Sequence, residues 1–472
     1  MPPGPVVERP SCTDAVIVLP GIMGSELVDA ATGEVLWGVS DPSWYVSAWT
    51  SGRALRRLAV TDEERAGAAT RVRARRLLAA TAAVPVFHGV EPYTRLVAEV
   101  RRVAAHPAAV LPFPYDWRLS VGHNAAALRA AAERHLAQWR GHEYWRGRRH
   151  DPDSIRLSLV AHSMGGLVAR RFVAGLGPDA PVVRTVVTLG TPFYGAVKAV
   201  HILGTGRGAT PPLPRARLRH LVRDMPGLYD LLPSYRCVVD GPGSRRLAPA
   251  DVAAVGGDAE LAAGPLSGAE RSWPAGGPAL RPFVGVDQPT MQSLSITDGA
   301  VEPLYYTCED GGAATVDHAG DATVFRRSAV AGEHPPSYVP QTHVALARSE
   351  EAVAFVRAVL TEGTLGPPLP GVLPIGLQVP DVAAVDVETE ILVAVPDFSA
   401  VACRVVEVGT NTALPPPRLS PGDGVARARV RLPRPGIYRV EAKGGGYSAV
   451  SQLLLAVPAA DLAPAAGPHR TG

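Results

Sequence analysis

Apolar and polar positions along the first 190 residues alternate between two periods. Short apolar runs, continuous at 15–20 (Ala-Val-Ile-Val-Leu-Pro) and largely apolar at 110–112, 155–160 (Ile-Arg-Leu-Ser-Leu-Val) and 182–189, are mostly followed by Gly or Pro. Runs of this length and setting predict buried parallel strands. Between them, 93–105 and 124–139 carry helical patterns, with Leu96, Val97, Val100 and Val103 on one face of the first. A third helix is predicted over 167–174. Strands alternating with helices predict a parallel sheet with crossover helices, an α/β fold. Two stretches break the rhythm, 36–80 and 196–280, and both are too long for simple connections. The second carries a helix-like apolar stripe over 218–232. The sheet pattern resumes at 281–286, strands are predicted at 293–296 and 323–327, and a helix at 349–361.

The texture changes after a Pro/Gly-rich linker at 366–374. Runs at 391–396, 402–408, 426–433, 436–442 and 450–457 are short and strand-like. Ala426-Arg427-Ala428-Arg429-Val430-Arg431 alternates with period two, as a half-exposed antiparallel strand does. These runs predict a small all-β, Ig-like sandwich over 375–458. The expected organisation is therefore an N-terminal tail (1–14), an α/β domain (15–365), the linker, the sandwich and a disordered tail (459–472).

Composition narrows the classes. The chain has 472 residues, 46% of them hydrophobic and 19% charged, which excludes a disordered chain. A net charge of +3 gives no bias toward nucleic acid. Lysine occurs only at 198 and 443. Four cysteines, Cys12, Cys237, Cys308 and Cys403, form no CxxC pair, so neither zinc nor a disulfide framework is expected. No metal or organic cofactor is implied. The first ten residues lack a basic stretch followed by an apolar core, and no run of about 18 apolar residues exists. The expectation is a cytoplasmic protein, peripheral to a membrane if it meets one.

The strongest chemical signal is Ser163, in Ala161-His162-Ser163-Met164-Gly165-Gly166. It follows an apolar strand and precedes a helix. A nucleophilic serine needs such a turn, because its Oγ must stand clear of the sheet, and small residues let strand and helix pass behind it. A plain serine N-cap would need only Ser-x-Gly, not the whole constellation. A serine also needs a general base, and the base an orienting carboxylate, in the chain order Ser, Asp/Glu, His. Of His201, His220, His318, His334 and His343, the last lies directly before the final helix of the α/β domain and is the preferred base. Two acids compete on spacing: Asp298 in Thr297-Asp298-Gly299, where an Asx turn is the bland reading, and Asp321 in Gly320-Asp321-Ala322-Thr323-Val324. Asp321 is preferred. The backbone N–H groups of Met164 and of Ile22, in Pro20-Gly21-Ile22-Met23-Gly24, are the expected oxyanion donors. Asp116 and Arg118 read as an ion pair bracing a loop rather than as a second acid/base pair. Trp37, Trp44 and Trp49 read equally as packing under a cap or as an interface anchor.

In order, Leu19-Pro20-Gly21-Ile22-Met23-Gly24-Ser25, Pro114-Tyr115-Asp116-Trp117-Arg118, the Ser163 elbow and Leu189-Gly190-Thr191-Pro192 resemble the lecithin:cholesterol acyltransferase family of α/β-hydrolases. Val284-Gly285-Val286-Asp287-Gln288-Pro289-Thr290, Gly320-Asp321-Ala322-Thr323-Val324 and Gln341-Thr342-His343 extend the resemblance over about 15–362. It implies a bacterial member with a Ser163–Asp321–His343 triad. The acid of the family lies in the motif that here holds Asp321. It further implies a lipase- or phospholipase-type acyl hydrolase or acyltransferase, a lipid or ester substrate, and contact with a membrane surface. By resemblance, 36–80 would contact lipid and 196–280 would act as a lid. The sandwich is not part of the vertebrate family pattern. It suggests a second reading, a membrane-attacking effector or interaction protein whose sandwich recruits a protein partner.

Overall fold

A computed structural model describes the chain except residues 1–10, 39–43, 45–46, 49–50, 68–70, 79–92, 149–150, 178–181, 210–212, 242, 269–271, 310–313, 333, 363–374, 396–397, 400, 422–424, 445–446 and 463–472. Trp49, the linker and most of both predicted tails lie outside the described residues. Six parallel strands form the central sheet, in the order Ser337–Val339, Ala279–Gly285, Val183–Leu189, Leu157–His162, Ala15–Leu19 and Val110–Pro112. Ala15–Leu19 is apolar throughout and Leu157–His162 is buried at every position, as strands covered by helices on both faces are. Tyr93–Val103, Val121–Arg140, Met164–Leu176 and Glu350–Leu360 supply those helices. This is the α/β-hydrolase arrangement that the pattern and the motifs predict.

Four expectations change. No strand forms over 323–327: Asp321 Oδ1 accepts the N–H groups of Thr323 and Val324, which turns the backbone, and a 3-10 turn, Arg326–Ala329, follows. The stripe over 218–232 is two helices, Arg215–Val222 and Pro226–Tyr229, because Pro226 cannot continue the first. Residues 11–14 are not a free tail. Cys12 is buried and bridges to Ala104, and the Asp14 carboxylate accepts from Ser158 and Arg184. Part of the predicted C-terminal tail is ordered, as the short helix Ala459–Leu462.

The early excursion forms an antiparallel sheet of Val35–Trp37, Ser25–Asp29 and Val72–Leu77. Trp37 and Trp44 are buried in it, edge to face with ring centres 4.9 Å apart, and Trp37 also meets Trp117 at 5.6 Å. For these two the packing reading holds. Arg118, fully buried, lies 2.7 Å from Asp116 and 3.1 Å from Glu64. With both oxygens of Asp116 and the Leu58 carbonyl also accepting, the guanidinium is satisfied, as a buried charge must be. It ties the excursion to the end of the strand Val110–Pro112.

The later insert holds helices Val197–Thr205, Pro249–Ala254 and Ala259–Leu266 besides those already named. Its strands Arg236–Asp240 and Gly243–Arg246 join Ser293–Thr297 and Ala300–Leu304 in a four-stranded sheet. The C-terminal region has two sheets. One comprises Gly376–Gln378, Glu388–Ala394 and Ala426–Arg431. The other comprises Val382–Ala384, Tyr447–Val457, Gly436–Gly444, Val401–Glu407 and Thr412–Ala413. The inward positions of both, among them Ile391, Val393, Ala428, Val440 and Leu454, form a core distinct from that of the α/β region.

Candidate active site

Ser163 sits between the strand Leu157–His162 and the helix Met164–Leu176 with φ 53° and ψ −126°. A side chain adopts this conformation only where the surroundings enforce it. Its N–H is held by the Leu189 carbonyl at 2.9 Å, and close packing does the rest. A Cβ on Gly165 would lie 2.4 Å from the Pro20 oxygen, and one on Gly166 1.9 Å from Thr191 Oγ1. Only glycine lets the helix approach this near. The serine is 5% exposed and makes no N-cap hydrogen bond, so the N-cap reading fails.

His343 meets Ser163 from the far end of the domain, in the loop before Glu350–Leu360. Its Nε2 lies 2.8 Å from Ser163 Oγ and its Nδ1 2.7 Å from Asp321 Oδ2. The Asp321 carboxylate accepts the Nδ1 proton, which leaves Nε2 free to accept the serine proton. Asp321 is 1% exposed. Its Oδ1 accepts the N–H groups of Thr323 at 3.0 Å and Val324 at 2.7 Å, and its own carbonyl accepts the His343 N–H at 2.7 Å. Asp298 is elsewhere. It is exposed, and it and Gly299 have φ 51° and 77° in the two-residue hairpin turn between Ser293–Thr297 and Ala300–Leu304. His201, His220, His318 and His334 take no part; His318 instead pairs with Glu309 at 2.8 Å.

Ile22 lines the cavity beside Ser163, and Met164 directly follows the serine. Met164 begins its helix, so its N–H has no partner within the helix. Among the described residues neither this N–H nor that of Ile22 meets an acceptor. The loop that carries Ile22 is braced by the Pro114–Arg118 motif. The Tyr115 hydroxyl donates to the Pro20 carbonyl at 2.8 Å, and Trp117 Nε1 donates to the Ser25 carbonyl at 3.2 Å.

Two residues escaped sequence reasoning, Tyr93 and His162. Gly21 N–H donates to the Tyr93 hydroxyl at 2.8 Å, and that hydroxyl lies 2.9 Å from His162 Nδ1. His162 Nε2 lies 3.0 Å from the His343 carbonyl, to which it must donate. Burial, and secondarily the neighbouring His343, push the His162 pKa down to about 3. The ring is therefore neutral, with its proton on Nε2, and the Tyr93 hydroxyl donates to Nδ1. This strut ties the Gly21 loop to the His343 loop behind Ser163. The signal was the His beside Ser163, but its partner lies 69 residues away in sequence.

Ser163 and His343 open on a cavity of about 180 Å³. The later insert supplies most of its apolar wall, through Ile202, Leu218, Leu221, Val222, Met225 and Leu228, and the early excursion adds Trp37, Leu58 and Leu78. Among the described residues no cluster of His, Cys, Asp or Glu could hold a metal ion, and no helix is long and apolar enough to cross a membrane.

The model for the lecithin:cholesterol acyltransferase family matches residues 82–245. The match takes in the Pro114–Arg118 motif and the Ser163 elbow, while Asp321 and His343 lie beyond it. No curated protein matches the chain. Among solved structures, the Tle4–Tli4 complex is 15% identical, covering 74% of this chain and 98% of that one, with a TM-score of 0.47. Bacillus licheniformis lipase BlEst2 in its propeptide form is 11% identical, covering 95% of this chain and 75% of that one, with a TM-score of 0.30. A titin M1 domain is 15% identical over 16% of this chain and 84% of its own, with a TM-score of 0.13. The chain is an α/β-hydrolase that resembles the lecithin:cholesterol acyltransferase family and matches its model over 82–245.

Proposed function

We propose that the protein is a serine-dependent acyl hydrolase of lipid esters, with Ser163, Asp321 and His343 as its triad. The single observation that carries this reading is the His343 ring spanning Ser163 Oγ at 2.8 Å and Asp321 Oδ2 at 2.7 Å, at the mouth of an apolar cavity. Ser163 Oγ attacks the ester carbonyl carbon and its proton passes to His343 Nε2. The N–H groups of Ile22 and Met164 receive the developing oxyanion. The tetrahedral adduct then collapses, the C–O bond to the alcohol breaks, and His343 returns the proton to that oxygen. Water, activated by the same nitrogen, releases the acid from the acyl-serine. Asp321 keeps the imidazole in the required tautomer throughout. The apolar cavity supports an acyl chain as the part bound there. An alcohol in place of water would make the enzyme an acyltransferase.

The proposed division is a catalytic domain over 15–365 and a sandwich over 375–458. Gln341 Nε2 donates to the Ala449 carbonyl and Thr342 Oγ1 to the Ser451 carbonyl, each at 3.1 Å, immediately before His343. These bonds favour a sandwich that braces the base over one that only recruits a partner.

The test is labelling with a fluorophosphonate followed by peptide mapping. The adduct is expected on Ser163 and is expected to vanish in Ser163→Ala. An adduct on another residue would overturn the assignment.

A further inference from the structure

A second cavity adjoins the first. It measures about 690 Å³ and lies between the catalytic loops and the C-terminal sandwich. Lys198, Thr323, His343 and Val344 line both, so the base borders each of them. Their chemistry differs. The first is walled by Leu, Ile, Val and Met side chains. The second is edged by charges, Lys198 and Arg348 from the α/β region and Asp381, Glu388 and Glu390 from the sandwich.

Acyl transfer through a serine needs two spaces of unlike character. The acyl chain lies to one side of Oγ. The alcohol lies within reach of His343 Nε2, because that atom protonates it as it leaves and deprotonates whatever replaces it. Of these two cavities, the second borders His343 while offering polar walls and several times the room. Lys198 gives it a preference. Its Nζ donates to Thr323 Oγ1 at 3.2 Å and, among the described residues, forms no ion pair. An ammonium without a counter-charge, held beside the reacting centre, is a binding element for an anion.

We infer that the cleft between the catalytic loops and the sandwich receives the alcohol half of the ester, and that Lys198 binds an anionic group, phosphate or carboxylate, carried by that alcohol. The inference rests on the acyl-Ser163 reading. In acylation the C–O bond to this alcohol breaks, its oxygen takes the proton from His343 Nε2, and the alcohol departs through the cleft. In deacylation the acceptor enters by the same route, gives its proton to His343, and forms the new C–O bond as the bond to Ser163 Oγ breaks. The sandwich is then one wall of the substrate site. Arg348 Nη2, which donates to Ser451 Oγ at 3.0 Å, holds that wall against the loop after His343.

Three decanoyl esters test this: 1-decanoyl-glycerol, its 3-phosphate, and 3-O-decanoyl-glycerate, each below its aggregation limit. In Lys198→Met, the ratio of kcat/KM for an anionic ester to that for the neutral ester is expected to fall about 10- to 100-fold, the worth of a charged hydrogen bond. A fall confined to the phosphate or to the carboxylate ester identifies the group bound. An unchanged ratio overturns the inference. Val387, 51% exposed on the sandwich side of the cleft, gives a second variant whose folding is not at issue. Val387→Trp should lower the ratio of kcat/KM for decanoyl-glycerol to that for methyl decanoate, and equal effects on both esters overturn the cleft assignment. Fluorophosphonate labelling runs in parallel. Absence of a Ser163 adduct on the unaltered protein removes the reading beneath. A normal adduct without ester discrimination removes this inference alone.

Discussion

Ser163 and Asp321 flank the same imidazole and are held in place by different physics. The serine is fixed by crowding. Strand and helix close on it so tightly that Gly165 and Gly166 have no space for a methyl group, and its strained φ of 53° follows from regular elements meeting at a sharp bend. The acid is fixed by hydrogen bonds in a stretch with no regular element. Gln288, fully buried, bridges to Gly320 and Asp321 through its backbone, while its side chain donates to the Ile375 carbonyl and accepts from the Leu377 N–H. Thr290 Oγ1 accepts the Ala322 N–H at 2.9 Å. Packing tolerates no added volume, whereas a hydrogen-bonded loop tolerates no lost partner. Substitutions should therefore fail in opposite ways on the two sides.

The largest expected effect is on the crowded side. Ser163→Ala removes one oxygen, adds no volume, and should fold as the parent does. Turnover of p-nitrophenyl decanoate should fall on the order of 10⁴- to 10⁶-fold, leaving what oxyanion stabilisation and binding supply. A residual rate within tenfold of the parent would sink the nucleophile.

Next is the acid. Asp321→Asn keeps the size of the side chain but presents an amide where Nδ1–H needs an acceptor, favouring the wrong tautomer. Loss of about 10³- to 10⁴-fold in kcat is expected, by the precedent of triads so altered. Asp298→Asn, in an exposed hairpin turn, should stay within about twofold, since Asn suits a positive φ as well as Asp does. Paired assays of the two variants decide between the acids, and the opposite ranking would refute the choice made here.

Gly165→Ala tests crowding itself. The added methyl would fall 2.4 Å from the Pro20 oxygen, so the loop that carries Ile22 must yield. Overpacking of this kind costs about 1–3 kcal/mol. It should appear as a lower urea midpoint together with a reduced kcat. Parental stability and rate in this variant would show that the elbow has slack.

The same contrast explains what could be read from the sequence. The strands and helices around Ser163 follow from periodicity alone, because each is a buried run or an amphipathic stripe of local origin. By spacing alone Asp321 was legible only as one of two Asp-small motifs, because spacing cannot tell a hairpin turn from an acid loop; the family resemblance, not the pattern, gave the preference for it its weight. What separates them is Gln288 and Thr290, which come from more than 30 residues upstream and have no periodic signature. The false strand over 323–327 has the same cause: Thr323-Val324-Phe325 has strand propensity, and two backbone bonds to one carboxylate override it. The Tyr93–His162 strut was invisible because hydrogen bonds between distant side chains leave no mark in a single sequence.

That strut yields the smallest effect, and it is one of pH. His162 is neutral in the folded protein, with a pKa of about 3 against an ordinary value of 6.5, chiefly through burial. The unfolded chain therefore takes up a proton as pH falls below about 6.5, and the native state does not until about 3. Because the unfolded state binds more protons in that window, stability drops as pH falls through it, by about 1.4 kcal/mol per pH unit for one such group. His135 and His201, also pushed down by burial, act in the same direction. The contribution of His162 is thus a difference between proteins. In His162→Gln the slope of unfolding free energy from pH 6 to pH 5 should be shallower by about 1.4 kcal/mol per unit. Carboxylates that begin to take up protons toward pH 5 are common to both proteins and cancel in the difference. Urea denaturation at closely spaced pH values measures both slopes. Coincident slopes would mean that the ring already binds a proton in the folded state near pH 6, in which case Tyr93 cannot be donating to Nδ1 and the Gly21 and His343 loops are not coupled through this pair.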